Sequence, residues 1–305
     1  MLVMGKPVLV LGGTGMVGHR LVETLLANGI RVRTTARRLE LLPSSAAEVV
    51  EFDIADSDLA QLVEGYGPDD TVVNCTGVIK PYIDDRDASS RRRAIAVNAH
   101  FPHVIAELAA QQGFRVIHIT TDCVFNGTEG NYREDHLHDA TDVYGKSKSL
   151  GEVPGPTVLN LRCSVIGPEM HSFVSLLHWV LDHDPGDALP GYTDHDWSGV
   201  TTDAVSRVVT GIVASQNPLA GTVHLVPGST VTKAELVQLI LDAYGRDDVT
   251  VLPTETGTPV DRTLGTNFAH DVSRLWQDAG YAQSPPIKQM VYEMADRDRG
   301  TGDLR

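Results

Sequence analysis

The sequence predicts an α/β protein: a doubly wound parallel sheet followed by a smaller α+β lobe. Three observations carry this. Short runs rich in Val, Ile and Leu alternate with helical patterns over residues 1–165. The first of these runs ends in a glycine-rich turn that opens a helix. After Gly167 the alternation stops and a mixed pattern takes over. Strands that read as continuous apolar runs, rather than as an in–out alternation, belong to a sheet covered on both faces.

Taken in order, PVLVLGG is a strand and MVGHRLVETLLANG a helix with a glycine near its end. IRVRTTA and VVEFDIAD are the second and third strands, Leu59 to Tyr66 a short helix, and TVVNCTG the fourth strand. SSRRRAIAVNAHFPHVIAELAAQQG reads as a longer helix despite Pro102, and RVIHITT as the fifth strand. The helix YGKSKSLGEV and the strand TVLNLRCSV complete the first part. Beyond Gly167, MHSFVSLLHWVLDHD is helical and DPGDALPGYTDHDWSGVTT a polar loop. TTDAVSRVVTGIVASQ and KAELVQLILDAYG are helices, GTVHLVPG is a strand and VLPTET an extended piece. The tail ADRDRGTGDLR has little to bury and is expected to fray. Residues 1–165 are therefore expected to be mainly a nucleotide-binding domain. Residues 166–305 form mainly a substrate lobe, with some elements returning to the first domain.

Composition narrows the function. The chain has 40 acidic residues against 25 Lys and Arg, which disfavours nonspecific nucleic-acid binding. The run Arg91 to Arg93 reads as a solvated helix face rather than a phosphate clamp. There is no basic leader and no apolar run of membrane-spanning length, so a cytoplasmic address is expected and a membrane partner is not. The cysteines Cys75, Cys123 and Cys163 suggest buried thiols, not a disulfide framework. The histidines are scattered, so no metal site is expected.

GGTGMVG carries the first specific chemistry. Gly12, Gly15 and Gly18 recur every three residues where strand becomes helix, which suits a Rossmann-type turn with a pyrophosphate at the helix N-terminus. Thr14, Met16 and Val17 share that turn. The second strand ends in RTTARR, with no acid before Glu40. Arg37 or Arg38 can pair with a 2′-phosphate, so NADPH is favoured, with NADH left open. Asp53, beside Ile54, can accept from the adenine amine or cap the next helix. Cys75, Thr76 and Gly77 lie at the carboxyl end of the fourth strand, where a cofactor rests in this architecture.

Tyr144 and Lys148 are four apart and share a helix face. Together with GGTGMVG, NCTGVIK, the AVN at Ala96 to Asn98, ITTDCVFNG and YGKSKSLGE, they make the chain resemble the extended short-chain dehydrogenase/reductase superfamily. Within it the chain is most similar to the dTDP-4-dehydrorhamnose reductase (sugar-nucleotide-binding) family. LRCSVIGPE, the GYTDHDWSGVTT loop and DRTLGTNF extend the likeness into the second half, over roughly residues 5–275.

The resemblance implies that Tyr144 is the catalytic acid, Lys148 its partner and Thr121 the third member, with Asn98 ordering the helix and the proton relay. It implies a nucleotide-diphosphate sugar with a ketone at sugar carbon 4. Val78, Asp122, Cys123, Ser164, His171, Ser172 and Trp197 are then candidate lining residues, and Arg262 a diphosphate contact. Trp197 stacks on the ligand or packs between the lobes, and Arg162 reads as a structural arginine. Cys123 stands where the family often has a tyrosine. In such a site Tyr144 donates to the carbonyl oxygen while Thr121 hydrogen-bonds it as negative charge develops. Lys148 and the oxidised nicotinamide favour tyrosinate in the reverse direction. Thr121 is followed by Asp122 and Cys123, without the acid pair of a dehydratase. An NAD-retaining 4-epimerase and a non-catalytic cofactor-binding scaffold stay as alternatives, and a homodimer through sheet-side helices is a plausible assembly.

Overall fold

The computed structural model describes residues 6–37 and 47–301. The elements run β1 (Val8–Leu11), α1 (Met16–Ala27), β2 (Val32–Ala36), β3 (Glu48–Glu51), α2 (Leu59–Leu62), β4 (Thr71–Asn74), α3 (Ala88–Ile95), α4 (Phe101–Gln112), β5 (Arg115–Thr120), α5 (Val143–Leu150) and β6 (Val158–Arg162). There follow β7 (Val165–Ile166), α6 (Leu176–Leu181), β8 (Ala188–Tyr192), β9 (His195–Trp197), β10 (Val200–Thr201), α7 (Thr202–Ser215) and β11 (Gly221–His224). The last are β12 (Val231–Thr232), α8 (Lys233–Tyr244), β13 (Thr250–Thr254), β14 (Val260–Asp261), α9 (Ala269–Asp278) and α10 (Ile287–Thr301).

The main sheet has seven strands in the order β11-β6-β5-β4-β1-β2-β3, all parallel. Strand order reverses between β1 and β4, which opens a crevice at their carboxyl ends. β1 is wholly buried, as its unbroken VLVL requires. The seventh strand, β11, comes from the second half of the chain and pairs with β6. One hydrophobic core joins Leu21 and Leu25 of α1 to Val205, Val208 and Val209 of α7 and to Met290 and Met294 of α10. A second core, on the other face, holds Phe52, Phe101, Ile105 and Phe114.

Three segments differ from the sequence reading. The helix expected from Met170 begins only at Leu176. Ser172 and Phe173 hold φ of 81° and 46°, and that left-handed conformation breaks a helical run. The polar stretch expected as a loop contains β8, β9 and β10, because long-range partners supply their ladders: β8 pairs with β13, β9 with β12 and β14, and β10 with β7. The tail expected to fray continues as α10 through Thr301.

Charge docks that tail. Asp298, fully buried, faces Arg20 Nη2 of α1 at 2.9 Å and accepts from the Tyr244 hydroxyl at 2.6 Å. Arg20 is 1% exposed and also meets Glu23 and Asp203. A buried guanidinium needs such partners, and removing one leaves an uncompensated charge. Asp298→Ala is therefore expected to lower the unfolding free energy by about 3 kcal/mol or more. Urea denaturation followed by circular dichroism measures this, and a change within the usual surface-mutation range would contradict the docking role.

Candidate active site

Gly12 and Gly18 make the turn after β1 possible. Gly12 has φ of +85°, and a Cβ on Gly18 would sit 2.1 Å from the Gly12 carbonyl oxygen. Gly15 and Gly77 are different. A Cβ on Gly15 would meet nothing nearer than the Gly12 carbonyl oxygen at 3.3 Å, and one on Gly77 nothing nearer than Asn98 Oδ1 at 3.6 Å. Packing within the chain hardly requires these two glycines, and the space before them is a cradle that side chains would fill. α1 starts at Met16 with Gly15 as N-cap, no side-chain cap and no acid in its first turn. Its leading N–H groups, with those of Thr14 and Val17 in the same turn, suit an anion. These residues fit a dinucleotide, with its pyrophosphate at the Gly12–Gly18 turn.

The other expected cofactor contacts spread around this crevice. Arg37 is exposed directly after β2, whereas Arg38 lies outside the described residues. Asp53 closes an Asx turn, accepting from Ala55 N at 2.9 Å, with Ile54 half-buried beside it. Asp53 does not cap α2, because Asp58 does so. Cys75, Thr76 and Gly77 leave β4 at the switch point, and Asn74 Oδ1 accepts from the Thr76 hydroxyl and N–H at 2.6 and 3.1 Å.

α5 carries the candidates Tyr144 and Lys148 and is held at both ends. Asp142 caps it, accepting from Gly145 N at 2.7 Å, and pairs with Lys80 at 2.6 Å. Gly145 lets the helix lie on the turn after β5, since a Cβ there would be 2.3 Å from the Cys123 carbonyl oxygen. At the far end a Cβ on Gly151 would be 2.0 Å from the Asn98 carbonyl oxygen. Asn98 sits in a wide π turn, Ala96–His100, between α3 and α4. Pro102 has no N–H to return to the Asn98 carbonyl, which accounts for the irregular turn in an otherwise continuous helix. The Asn98 side chain accepts from Val78 N at 2.8 Å and donates to Val78 O at 2.9 Å and Ser147 Oγ at 3.1 Å. One buried amide thus ties the β4 loop to α5.

The Lys148 ammonium is buried and donates to the Ile119 carbonyl at 3.1 Å. Burial pulls its pKa from 10.5 to about 8, against the opposing pull of Glu152. Tyr144 is half-buried. Desolvation pushes its phenol above the ordinary 10, Cys123 adds to this, and a hydrogen bond with Thr121 pulls the other way. Thr121 Oγ1 also donates to Asp122 Oδ1 at 3.1 Å and accepts from Cys123 N at 3.2 Å. Thr120 faces elsewhere, donating to Glu152 at 2.8 Å. Burial pushes the thiols of Cys75, Cys123 and Cys163 up to about 12, so they stay protonated. Chemically, the arrangement is a neutral phenol and a hydroxyl beside a buried ammonium, next to a dinucleotide cradle.

The candidate substrate residues do not all converge. Asp122, Cys123 and Val78 adjoin Thr121 and Asn98. Trp197, 4% exposed, donates from Nε1 to Ser164 Oγ at 2.8 Å, so these two are locked together. Arg262 donates to the carbonyl oxygens of Phe125 and Asn126 at 2.9 and 3.1 Å. Its charge also reaches Asp122. His171 and Ser172 lie in the turn before α6, and among the described residues no hydrogen bond joins them to Thr121, Tyr144 or Lys148. Arg162 is buried, with Nε and Nη2 on Glu152 at 2.9 and 2.5 Å and the remaining N–H groups on His224 and His138. Lys80, Asp142, Glu152 and Lys233 were missed by sequence reasoning. Asp142 directly before the helix and Glu152 one turn after Lys148 were available signals, whereas Lys233 has none in its local sequence.

The sheet order, the glycine turn and the Thr121, Tyr144 and Lys148 constellation define an extended short-chain dehydrogenase/reductase, a nicotinamide-dependent oxidoreductase. The chain belongs to the RmlD substrate binding domain family, whose model matches residues 6–299. It is 30% identical over 282 residues to the dTDP-4-dehydrorhamnose reductase of Streptomyces griseus, covering 89% of this chain and 87% of that one. It is 28% identical over 287 residues to a probable low-salt glycan biosynthesis reductase, Agl14, of Haloferax volcanii, covering 90% and 92%. The fold matches the dTDP-4-dehydrorhamnose reductase of Bacillus anthracis in complex with NADP, with a TM-score of 0.76, 20% identity and coverage of 96% and 100%.

The lowered Lys148 pKa has a stability consequence. Between pH 8 and 10.5 the unfolded chain holds this proton and the folded chain has released it, so the group's contribution to stability rises with pH across that window. Relative to Lys148→Met, the wild type is expected to gain unfolding free energy as pH climbs through that interval. A difference that is flat or falls with pH, in parallel denaturant titrations, would contradict a buried ammonium.

Proposed function

We propose that this protein uses NADPH to reduce the 4-keto group of a nucleotide-diphosphate deoxysugar, dTDP- or UDP-linked. The observation that carries the reading is Tyr144 hydrogen-bonded with Thr121, and the buried Lys148 one helical turn on and within reach of Cys75, next to the Gly77 side of the cradle. Residues 1–165 are assigned mainly to the cofactor and 166–305 mainly to the substrate. We place the reaction in the cytoplasm, with a homodimer as the expected assembly.

When bound, the reduced nicotinamide supplies a hydride to the carbonyl carbon. Tyr144 gives its phenolic proton to the oxygen as charge grows there, and Thr121 turns its single hydroxyl proton from Asp122 to the same oxygen. The raised phenol pKa suits this direction, because the acid is protonated before the reaction begins. Lys148 stabilises the tyrosinate that remains and holds the cofactor ribose. Asn98 keeps α5 at its distance from the β4 loop, so the acid and the cradle stay in register. Arg37 supports NADPH over NADH, since it is exposed at the end of β2, where a 2′-phosphate would lie, and among the described residues no carboxylate pairs with it.

The test is loss of NADPH absorbance with dTDP- and UDP-linked 4-keto-6-deoxyhexoses. Wild type is expected to turn over with NADPH faster than with NADH. Tyr144→Phe should lower kcat by about 10²-fold or more while cofactor still binds. Folded protein that oxidises neither cofactor would overturn the reading. Tightly held NAD with redox-neutral sugar conversion would replace it with an epimerase.

A further inference from the structure

Charge gathers at the mouth of the site from segments far apart in sequence. Lys80 pairs with Asp142 at 2.6 Å. Arg262 is braced by two backbone carbonyls. Asp122, 6% exposed, accepts from the Thr121 hydroxyl and feels the charges of Arg262 and Lys233.

Lys233 differs from the rest. It is the first residue of α8, behind a complete capping box formed by Thr232 and Glu235, so the helix end makes no demand on its side chain. Its ammonium lies 5.1 Å from the centre of the Trp197 ring, and that ring is fixed by the bond to Ser164. Among the described residues it makes no hydrogen bond and has no carboxylate within 4.0 Å. Desolvation lowers its pKa, with Asp122 opposing. An ammonium withdrawn from water, with an aromatic face and the Asp122 carboxylate beyond ion-pair distance, is incompletely compensated.

We infer that Lys233 receives an anionic group of the bound nucleotide sugar against the face of Trp197, either a diphosphate oxygen or a carboxylate on the sugar. The inference rests on the nucleotide-sugar reading above and adds the residue and the charge that reads the ligand. An ammonium suits this task as a point charge that tolerates either oxygen geometry. Lys233 is a binding residue: its charge holds the substrate before and during hydride transfer alike, so its loss raises KM more than it lowers kcat.

Isothermal titration of NADP⁺-loaded protein tests this, with UDP, dTDP, UDP-glucose and UDP-glucuronate as ligands. Lys233→Met keeps an apolar stem on Trp197 without the charge, Lys233→Gln is a second uncharged variant, and Lys233→Arg restores the charge. The uncharged variants are expected to bind at least one ligand about tenfold or more weakly, with NADP⁺ affinity unchanged and Lys233→Arg close to wild type. A loss already seen with UDP or dTDP supports the diphosphate as the group held, and a loss confined to UDP-glucuronate supports a sugar carboxylate. Uncharged, folded variants that bind every ligand as the wild type does would overturn the role of Lys233 and leave the substrate reading standing. A wild type that binds none of the nucleotides would overturn both.

Discussion

The candidate site depends on keeping one ammonium, that of Lys148, charged in the protein interior. Water offers an ion far better solvation than a protein core does, so the fold must supply substitutes. It does so with the Ile119 carbonyl at the end of β5 and with Glu152, just beyond the end of α5. Glu152 is itself held, by Thr120 from β5 and by the Arg162 fork from β6. Three adjacent pieces of the parallel domain therefore converge on a single charge. Their convergence sets where α5, and with it Tyr144, can lie.

The same network reaches the second lobe. Arg162 donates to His224 Nε2, and His224 Nδ1 donates to the Gly265 carbonyl. This fixes the neutral tautomer of His224, whose pKa burial and the Arg162 charge pull down to about 4. Glu134 accepts from His224 N, Thr266 and Asn267. The segment that carries Arg262 is thus bonded to the strand edge that stabilises Lys148. The 262–267 segment and the β6–β11 edge are one hydrogen-bonded unit, and β11 and α7 pack with the first part of the chain although they lie late in sequence.

What was legible in the sequence follows from the range of each interaction. The glycine turn, the four-residue spacing of Tyr144 and Lys148, and the apolar strands are local patterns, so the fold could be read directly and these candidates named from spacing alone. Asn98 was legible only through its family motif; its two bonds to Val78 and the π turn made by Pro102 are tertiary. The strands β8, β9 and β10 were hidden because partners as distant as β13 supply their ladders. α10 looked unburied because Asp298 and Arg297 read as surface charges, while in the fold Asp298 is the counter-ion of Arg20. Lys233 was illegible for the same reason: its chemistry comes from Trp197 and Asp122, not from its neighbours in sequence.

The central claim is that this site passes a hydride from the cofactor to carbon 4 of a sugar, and isotopic transfer measures it most directly. With NADPH deuterated at the transferring position of the nicotinamide and a nucleotide-linked 4-keto-6-deoxyhexose, NMR of the product reads where the label goes. One deuterium on the carbon that gains the hydroxyl is the result the structure predicts. A product without the label, formed while the cofactor keeps its deuterium, would contradict it.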